Sequence, residues 1–222
     1  MSLLEKGSVY EQPSVYNQGA KKNGVGWGVV SIGGEDYEFV QLLDKLITVR
    51  NLDYLPDGIT IGDGTTTEPK ACYFNNNAAQ AKEREQGLLY NWAAVKYLID
   101  EPHLFPDGWK ILDVGVCDLI SYSFNSSYNI GEGKETCRKH VSWASNNWNN
   151  KGNNKSHLSF IPAGRRSYGN WEAYGDYCRL WTTYTKRTYS IAVSPYSEWP
   201  GYDNADDSWF AYIRLYKQME EP

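Results

Sequence analysis

The chain has 222 residues, with 22 Lys+Arg against 27 Asp+Glu and a formal net charge of -5. That balance argues against a sequence-independent nucleic-acid binder, which needs a basic face to displace counterions. No apolar run reaches the roughly 18–20 residues that span a bilayer.

Aromatics make up 15% of the chain (Tyr 18, Trp 9) beside a mean hydropathy of -0.61. Disordered chains lack aromatics, and helical bundles show long Leu/Ala/Glu/Lys stretches. The composition, with 20 Gly, therefore reads as a loop-rich β or α+β domain. Residues 1–29 combine Gly7, Pro13, Gly19, Gly24, Gly26 and Gly28 with Tyr10, Tyr16 and Trp27. The segment is too short for its own core and reads as an extended arm, with one domain over 30–222. Its start carries no basic stretch followed by an apolar one, so no secretory signal is expected.

Residues 37–40 and 46–49 are β-prone runs flanked by turn residues, and Pro56-Asp57-Gly58 is a turn signal. A helix is predicted over 78–100, where Leu88, Leu89, Trp92, Val95 and Leu98 recur at helical spacing. Pro102 ends it, and Pro106-Asp107-Gly108 turns the chain before Trp109. Asp113 suits the N-cap of a second helix carrying Val116, Cys117, Leu119 and Ile120. Residues 146–154 hold six Asn in nine and read as loop. Strands are predicted at 158–161, 178–183, 188–193 and 209–216, the last preceded by the acidic stretch Asp203-Asn204-Ala205-Asp206-Asp207.

Cys72, Cys117, Cys137 and Cys178 form no C-x-x-C pair, which removes a zinc ribbon and a thioredoxin-like redox motif. With no signal, free buried thiols are expected. Cys137 and His140 sit at ligand-like spacing, but two ligands do not make a metal site. There is no G-x-S-x-G, P-loop, G-x-G-x-x-G or H-E-x-x-H. His103, His140 and His157 lie outside any nucleophile motif.

Several segments stand in a telling order: Gly34-Glu-Asp-Tyr37, Ile47-Thr-Val-Arg-Asn51-Leu52-Asp53-Tyr54, Ala71-Cys72-Tyr73, Gly87-Leu-Leu-Tyr90-Asn-Trp92-Ala93-Ala94, Pro106-Asp-Gly108-Trp109, Leu158-Ser-Phe-Ile-Pro162-Ala163-Gly164-Arg165-Arg166, Leu180-Trp181-Thr182-Thr183 and Ile213-Arg214. Over about residues 30–217 this resembles the Fibrobacter succinogenes major paralogous domain family, related to the C-type-lectin fold through the superfamily of formylglycine-generating enzymes. The resemblance implies an α+β, C-type-lectin-like domain: two helices packed on small twisted antiparallel sheets with long loops. Members occur mostly in Bacteroidetes-type bacteria and their phages.

The departures from the family pattern carry information. Phe105 stands where the family commonly has Cys before Pro-x-Gly-Trp, so Cys72 lacks its usual partner. Trp109-Lys-Ile-Leu-Asp113 replaces Trp-His-Leu-Pro-Thr, and Val116-Cys117 replaces Glu-Trp. A lost disulfide fits folding in a reducing cytoplasm, as phage structural proteins do before lysis. Formylglycine-generating enzymes use two nearby cysteines late in the domain, and only Cys178 lies in that region.

In lectin-fold binders the last strands and their loops form the recognition face. Carried onto this chain, the resemblance implies a ligand-binding set of Tyr184, Lys186, Arg187, Tyr189, Tyr196, Glu198, Trp199, Tyr202, Asp203, Asn204 and Trp209, with Trp92, Trp109 and Trp181 assigned to core. Sugar-binding C-type lectins hold calcium with Glu-Pro-Asn or Gln-Pro-Asp and Trp-Asn-Asp, and none of these occurs. Asp203, Asn204, Asp206 and Asp207 still offer hard oxygen ligands at short spacing, so calcium is the one cofactor considered and none is expected.

The expectation is thus a non-enzymatic binding or structural module, a phage virion surface or fibre protein recognising a host-surface glycan or protein. It is expected to contact other virion proteins through residues 1–29 and to form a homo-oligomer, since such assemblies are symmetric. Neither nucleic-acid binding nor membrane insertion is expected. The alternatives are a secreted or cell-surface adhesin-like bacterial protein of the same family and an enzyme of the formylglycine-generating type.

Overall fold

The computed structural model describes residues 21–22, 25–64, 67–124, 156–175, 177–184, 186–192 and 200–220. In chain order they form β1 (Lys21–Lys22), β2 (Val25–Ile32), β3 (Glu35–Leu42), β4 (Lys45–Thr48), β5 (Thr60–Ile61), β6 (Lys70–Cys72), α1 (Ala78–Glu83), β7 (Leu89–Asn91), α2 (Trp92–Asp100), β8 (Trp109–Ile111) and α3 (Val114–Phe124). Then come β9 (Ala163–Ser167), β10 (Asn170–Tyr174), β11 (Tyr177–Trp181), β12 (Arg187–Ala192), β13 (Pro200–Asn204), β14 (Phe210–Ala211) and β15 (Leu215–Gln218). The architecture is α+β: three α-helices among the described residues and two open, largely antiparallel sheets.

The first sheet has the order β1-β2-β3-β4-β15-β8. Ile32 pairs with Glu35 around Gly33-Gly34, whose φ values of 60° and 85° suit the two-residue turn that matches strand twist. Side chains alternate along β3, burying Tyr37 and Phe39. Strands β1 and β2 place seven residues of the expected arm, 21–22 and 25–29, in this sheet.

The second sheet runs β13-β12-β11-β9-β14-β7-β6-β5, with β10 paired to β9. Two of its pairings are parallel, β9 with β11 and β5 with β6. One apolar cluster joins the two sheets to α2 through Phe39, Tyr90, Val95, Trp109 and Trp181. A second packs α3 against the second sheet through Cys117, Ile120, Phe160, Cys178 and Leu180. Trp92, Trp109 and Trp181 are all buried, and the Trp92 and Trp181 ring centroids lie 5.4 Å apart.

The helix expected over 78–100 is two helices with a strand between them. Gly87 breaks it. Its φ is 75°, and the carbonyl oxygen of Leu52 lies 2.7 Å from where a Cβ would stand. Leu88 N–H then donates to Leu52 O, and 89–91 enter the second sheet. Asn91 restarts the helix by accepting from Ala94 N–H at 2.9 Å. Asp113 caps α3 as expected, its Oδ1 accepting from Val116 N–H at 2.9 Å.

Two expected strands are also corrected. Residues 158–161 contribute one bridge residue, Phe160, because His157 and Ser159 have φ of 59° and 54°. The 209–216 segment is divided. Its β14 belongs to the second sheet and β15 to the first, with Arg214 between them. No helix among the described residues is long and apolar enough to cross a membrane.

Candidate functional site

Strand register decides what the last strands present. Trp181, Thr188 and Asp203 stand in one row across β11, β12 and β13, and Leu180, Tyr189 and Tyr202 stand in the next. Side chains alternate along a strand, so neighbouring rows serve opposite faces. Leu180 and Tyr202 belong to the α3 side, where the Tyr202 hydroxyl lies 2.7 Å from Asp118 Oδ1 and 3.0 Å from Val114 O. Arg179 and Trp181 take the other side, where Trp209 sits.

On that side β9 and β11 run parallel, with Gly164 opposite Cys178. The next residues, Arg165 and Arg179, are therefore abreast on one face. The guanidinium carbon of Arg165 lies 3.8 Å from the Trp209 ring centroid. That of Arg179 lies 5.9 Å from the same ring and 4.8 Å from the Tyr177 ring. Glu172, opposite Arg165 on β10, accepts from Arg165 Nε (3.1 Å), Arg165 Nη2 (2.9 Å) and Ser167 Oγ (2.9 Å). Arg179 pairs with Asp203. Burial, and after it the charge of Arg165, pull the Arg179 pKa down to about 10.

Three buried atoms around this pair have no hydrogen-bond partner among the described residues: Arg165 Nη1, Trp209 Nε1 and Thr188 Oγ1. Such groups in native structures call for an explanation, often a water or ion. Arg166, one residue along β9, belongs to the opposite face, 3.5 Å from Asp63 Oδ2 and between the rings of Trp171 and Phe210.

The expected ligand-binding residues divide among several places. Tyr184 is 59% exposed, with the Arg187 guanidinium 5.9 Å from its ring. Lys186 Nζ lies 2.7 Å from Asp207 Oδ1, and Ala205 N–H donates to Lys186 O. Tyr189 holds the register position between Leu180 and Tyr202. Asn204 is exposed and opposite Arg187. Trp209, expected on the surface, is only 8% exposed because the two arginines and the core enclose it. Tyr196, Glu198 and Trp199 lie outside the described residues.

The acidic stretch is committed to protein partners. Asp203 takes Arg179, Asp207 takes Lys186, and Asp206 Oδ1 accepts from Ser208 N–H at 2.8 Å and from Ser208 Oγ. Burial raises the Asp206 carboxyl, but the hydrogen bonds from Ser208 and Tyr168 outweigh it and hold the pKa below the ordinary value. Among the described residues, no group of three or more His, Cys, Asp and Glu is placed to hold a metal ion.

The residues that organise this face escaped sequence reasoning: Arg165, Tyr168, Glu172, Tyr177 and Arg179. The available signal was an arginine pair after Pro162-Ala163-Gly164 and an Arg–Tyr alternation at 177–179. Neither shows that β9 and β11 are neighbours. Cys72, Cys117 and Cys178 are buried. Burial pushes the thiols up, Cys72 to about 12 and Cys178 to about 11. Comparison of the chain with protein-family models, curated proteins and solved structures finds no match.

Proposed function

We propose that this chain is a phage-borne member of the Fibrobacter succinogenes major paralogous domain family, with a C-type-lectin-like fold. In this reading it is a non-enzymatic recognition module on the virion surface that binds a glycan or protein of the host surface. The observation that carries the reading is a braced corner at the end of the second sheet. Lys186 and the 205–208 turn are held together by the Ala205–Lys186 backbone bond and the Lys186–Asp207 ion pair. They flank exposed Tyr184, while Tyr168, 71% exposed on the β9–β10 turn, is fastened to them through Ser208. Aromatic rings on braced turns offer contact area at low entropy cost.

The order of motifs in the sequence and the α+β architecture support the family assignment. The buried, high-pKa thiols of Cys72 and Cys178 support a role without cysteine chemistry, since the thiolate is the reactive form. Residues 1–20, the part of the arm before the first sheet, carry attachment to other virion proteins and homo-oligomer assembly. The test is binding of the purified full chain to intact bacterial cells with and without capsular polysaccharide. Saturable, strain-selective binding that a Tyr168→Ala, Tyr184→Ala double variant loses is the expected result. Undiminished binding by a folded double variant, or no binding to any strain, overturns the reading.

A further inference from the structure

We propose that the cluster of Arg165, Arg179 and Trp209 is an oxyanion site that takes the carboxylate of an acidic glycan. The proposal rests on the recognition reading above and specifies the chemistry of its ligand. Parallel pairing of β9 and β11 sets two guanidinium groups side by side on one face, both within 6 Å of a single indole ring. Each guanidinium has one carboxylate partner, Glu172 on Arg165 and Asp203 on Arg179, so what the cluster leaves open is hydrogen-bond donors rather than net charge.

The atoms left over are of the matching kind. Arg165 Nη1 and Trp209 Nε1 are donors, Thr188 Oγ1 can donate, and all three are buried without a partner among the described residues. Trp209 and Thr188 are each more than nine-tenths buried. The outer edges of the two guanidiniums already hold carboxylates, Glu172 on Arg165 and Asp203 on Arg179. These carboxylate side chains are 35% and 44% exposed, so they form the solvent-side wall.

A planar carboxylate matches a guanidinium fork, and an incoming one exchanges with Glu172 or Asp203 at that wall. The unpartnered Arg165 Nη1 and Trp209 Nε1 are donors only and offer a metal cation no ligand. Tyr168 lies on the turn between β9 and β10, the strands that carry Arg165 and Glu172, and offers an exposed ring for a sugar whose carboxylate is held below. The carboxylate could also come from a free small anion, and the probes separate these two sources.

The experiment follows indole N–H signals of the full 15N-labelled chain, with the Trp209 signal assigned by its loss in Trp209→Phe. The probes are sodium acetate, trigalacturonate and trigalacturonate methyl ester, against chloride at matched ionic strength. The Trp209 signal is expected to shift with both carboxylates, trigalacturonate binding at least about tenfold more tightly than acetate, and not with the ester. Glu172→Gln is expected to tighten both, because it removes a competing negative charge, and Arg165→Gln to weaken both about tenfold or more. A Trp209 signal that no carboxylate moves overturns the proposal, whatever the variants do. Equal affinity for trigalacturonate and acetate leaves a free-anion site and overturns the glycan assignment. Equal response to the ester overturns the oxyanion assignment. Cell binding that persists in any of these cases leaves the recognition reading standing, so the two fail separately.

Discussion

Arg214 lies against Phe160, its guanidinium carbon 4.2 Å from the ring centroid. The side chain is fully buried, and it holds a segment in an irregular path. Its Nε donates to Asn51 Oδ1 at 3.1 Å, Nη1 to the carbonyls of Thr48 and Leu158, and Nη2 to Ser159 O at 3.1 Å. One side chain thus fastens the end of β4 and the 158–159 carbonyls to the link between β14 and β15. Arg214→Lys keeps the charge but cannot fork to these acceptors. The expected loss is about 3 kcal/mol, since several bonds to a charged donor go unmade in a buried place. Urea unfolding of the variant, read as a lower midpoint with an unchanged slope, checks it.

Gly87 is where the helical pattern fails. Alanine there meets the Leu52 carbonyl at 2.7 Å and has to adopt a φ of 75°. Gly87→Ala is expected to cost about 2–3 kcal/mol. Gly34→Ala is the control, with a φ of 85° but nothing within 4 Å of its Cβ. It should cost about 1 kcal/mol. Equal losses in thermal unfolding would show that backbone strain, not the Leu52 contact, dominates at Gly87.

Asp53 gives a pH-dependent prediction. Burial raises its pKa, and the nearby Arg50 charge only partly offsets this. A carboxyl whose folded pKa lies above its unfolded one favours the protonated folded state. Its contribution is therefore full below the unfolded pKa and is lost as pH rises through the folded pKa. Asp53→Asn should raise the denaturation midpoint at pH 7 and leave it unchanged near pH 3. A midpoint that falls at pH 7 would mean the carboxylate makes a favourable interaction there.

The cysteines predict a count. Of the four in the chain, Cys72, Cys117 and Cys178 are buried, which leaves one. Ellman's reagent at pH 8 should titrate at most one thiol in the native protein and all four in urea. A faster release of two or more would contradict the burial of these side chains.

Local chemistry was readable in the sequence. The hairpin strands around Tyr37 and Leu46, the Asp113 cap and the three core tryptophans all follow from alternation, capping or the resemblance of motifs. Long-range contacts were not. Leu88, Leu89 and Trp92 sit at helical spacing, but the approach of Leu52 to Gly87 decides their structure. Trp209 reads as a surface aromatic until β9 delivers Arg165 above its ring. The alternation of strands likewise separates Arg187 and Asn204 from Asp203, although they are near neighbours in sequence and were grouped as one surface.

Strand β15 lies between β4 and β8, although it follows both by a long stretch of chain. On the ribosome, the early hairpin of β2, β3 and β4 therefore waits with an open edge until 215–218 has been made. Strands β9 to β13 emerge earlier, so most of the second sheet is made while the first sheet is still incomplete. Such distant pairing makes folding slow, because loop closure precedes its reward. An unpaired edge in a waiting nascent chain also recruits other strands, so a chaperone that shields the β4 edge should raise the yield of folded protein during synthesis.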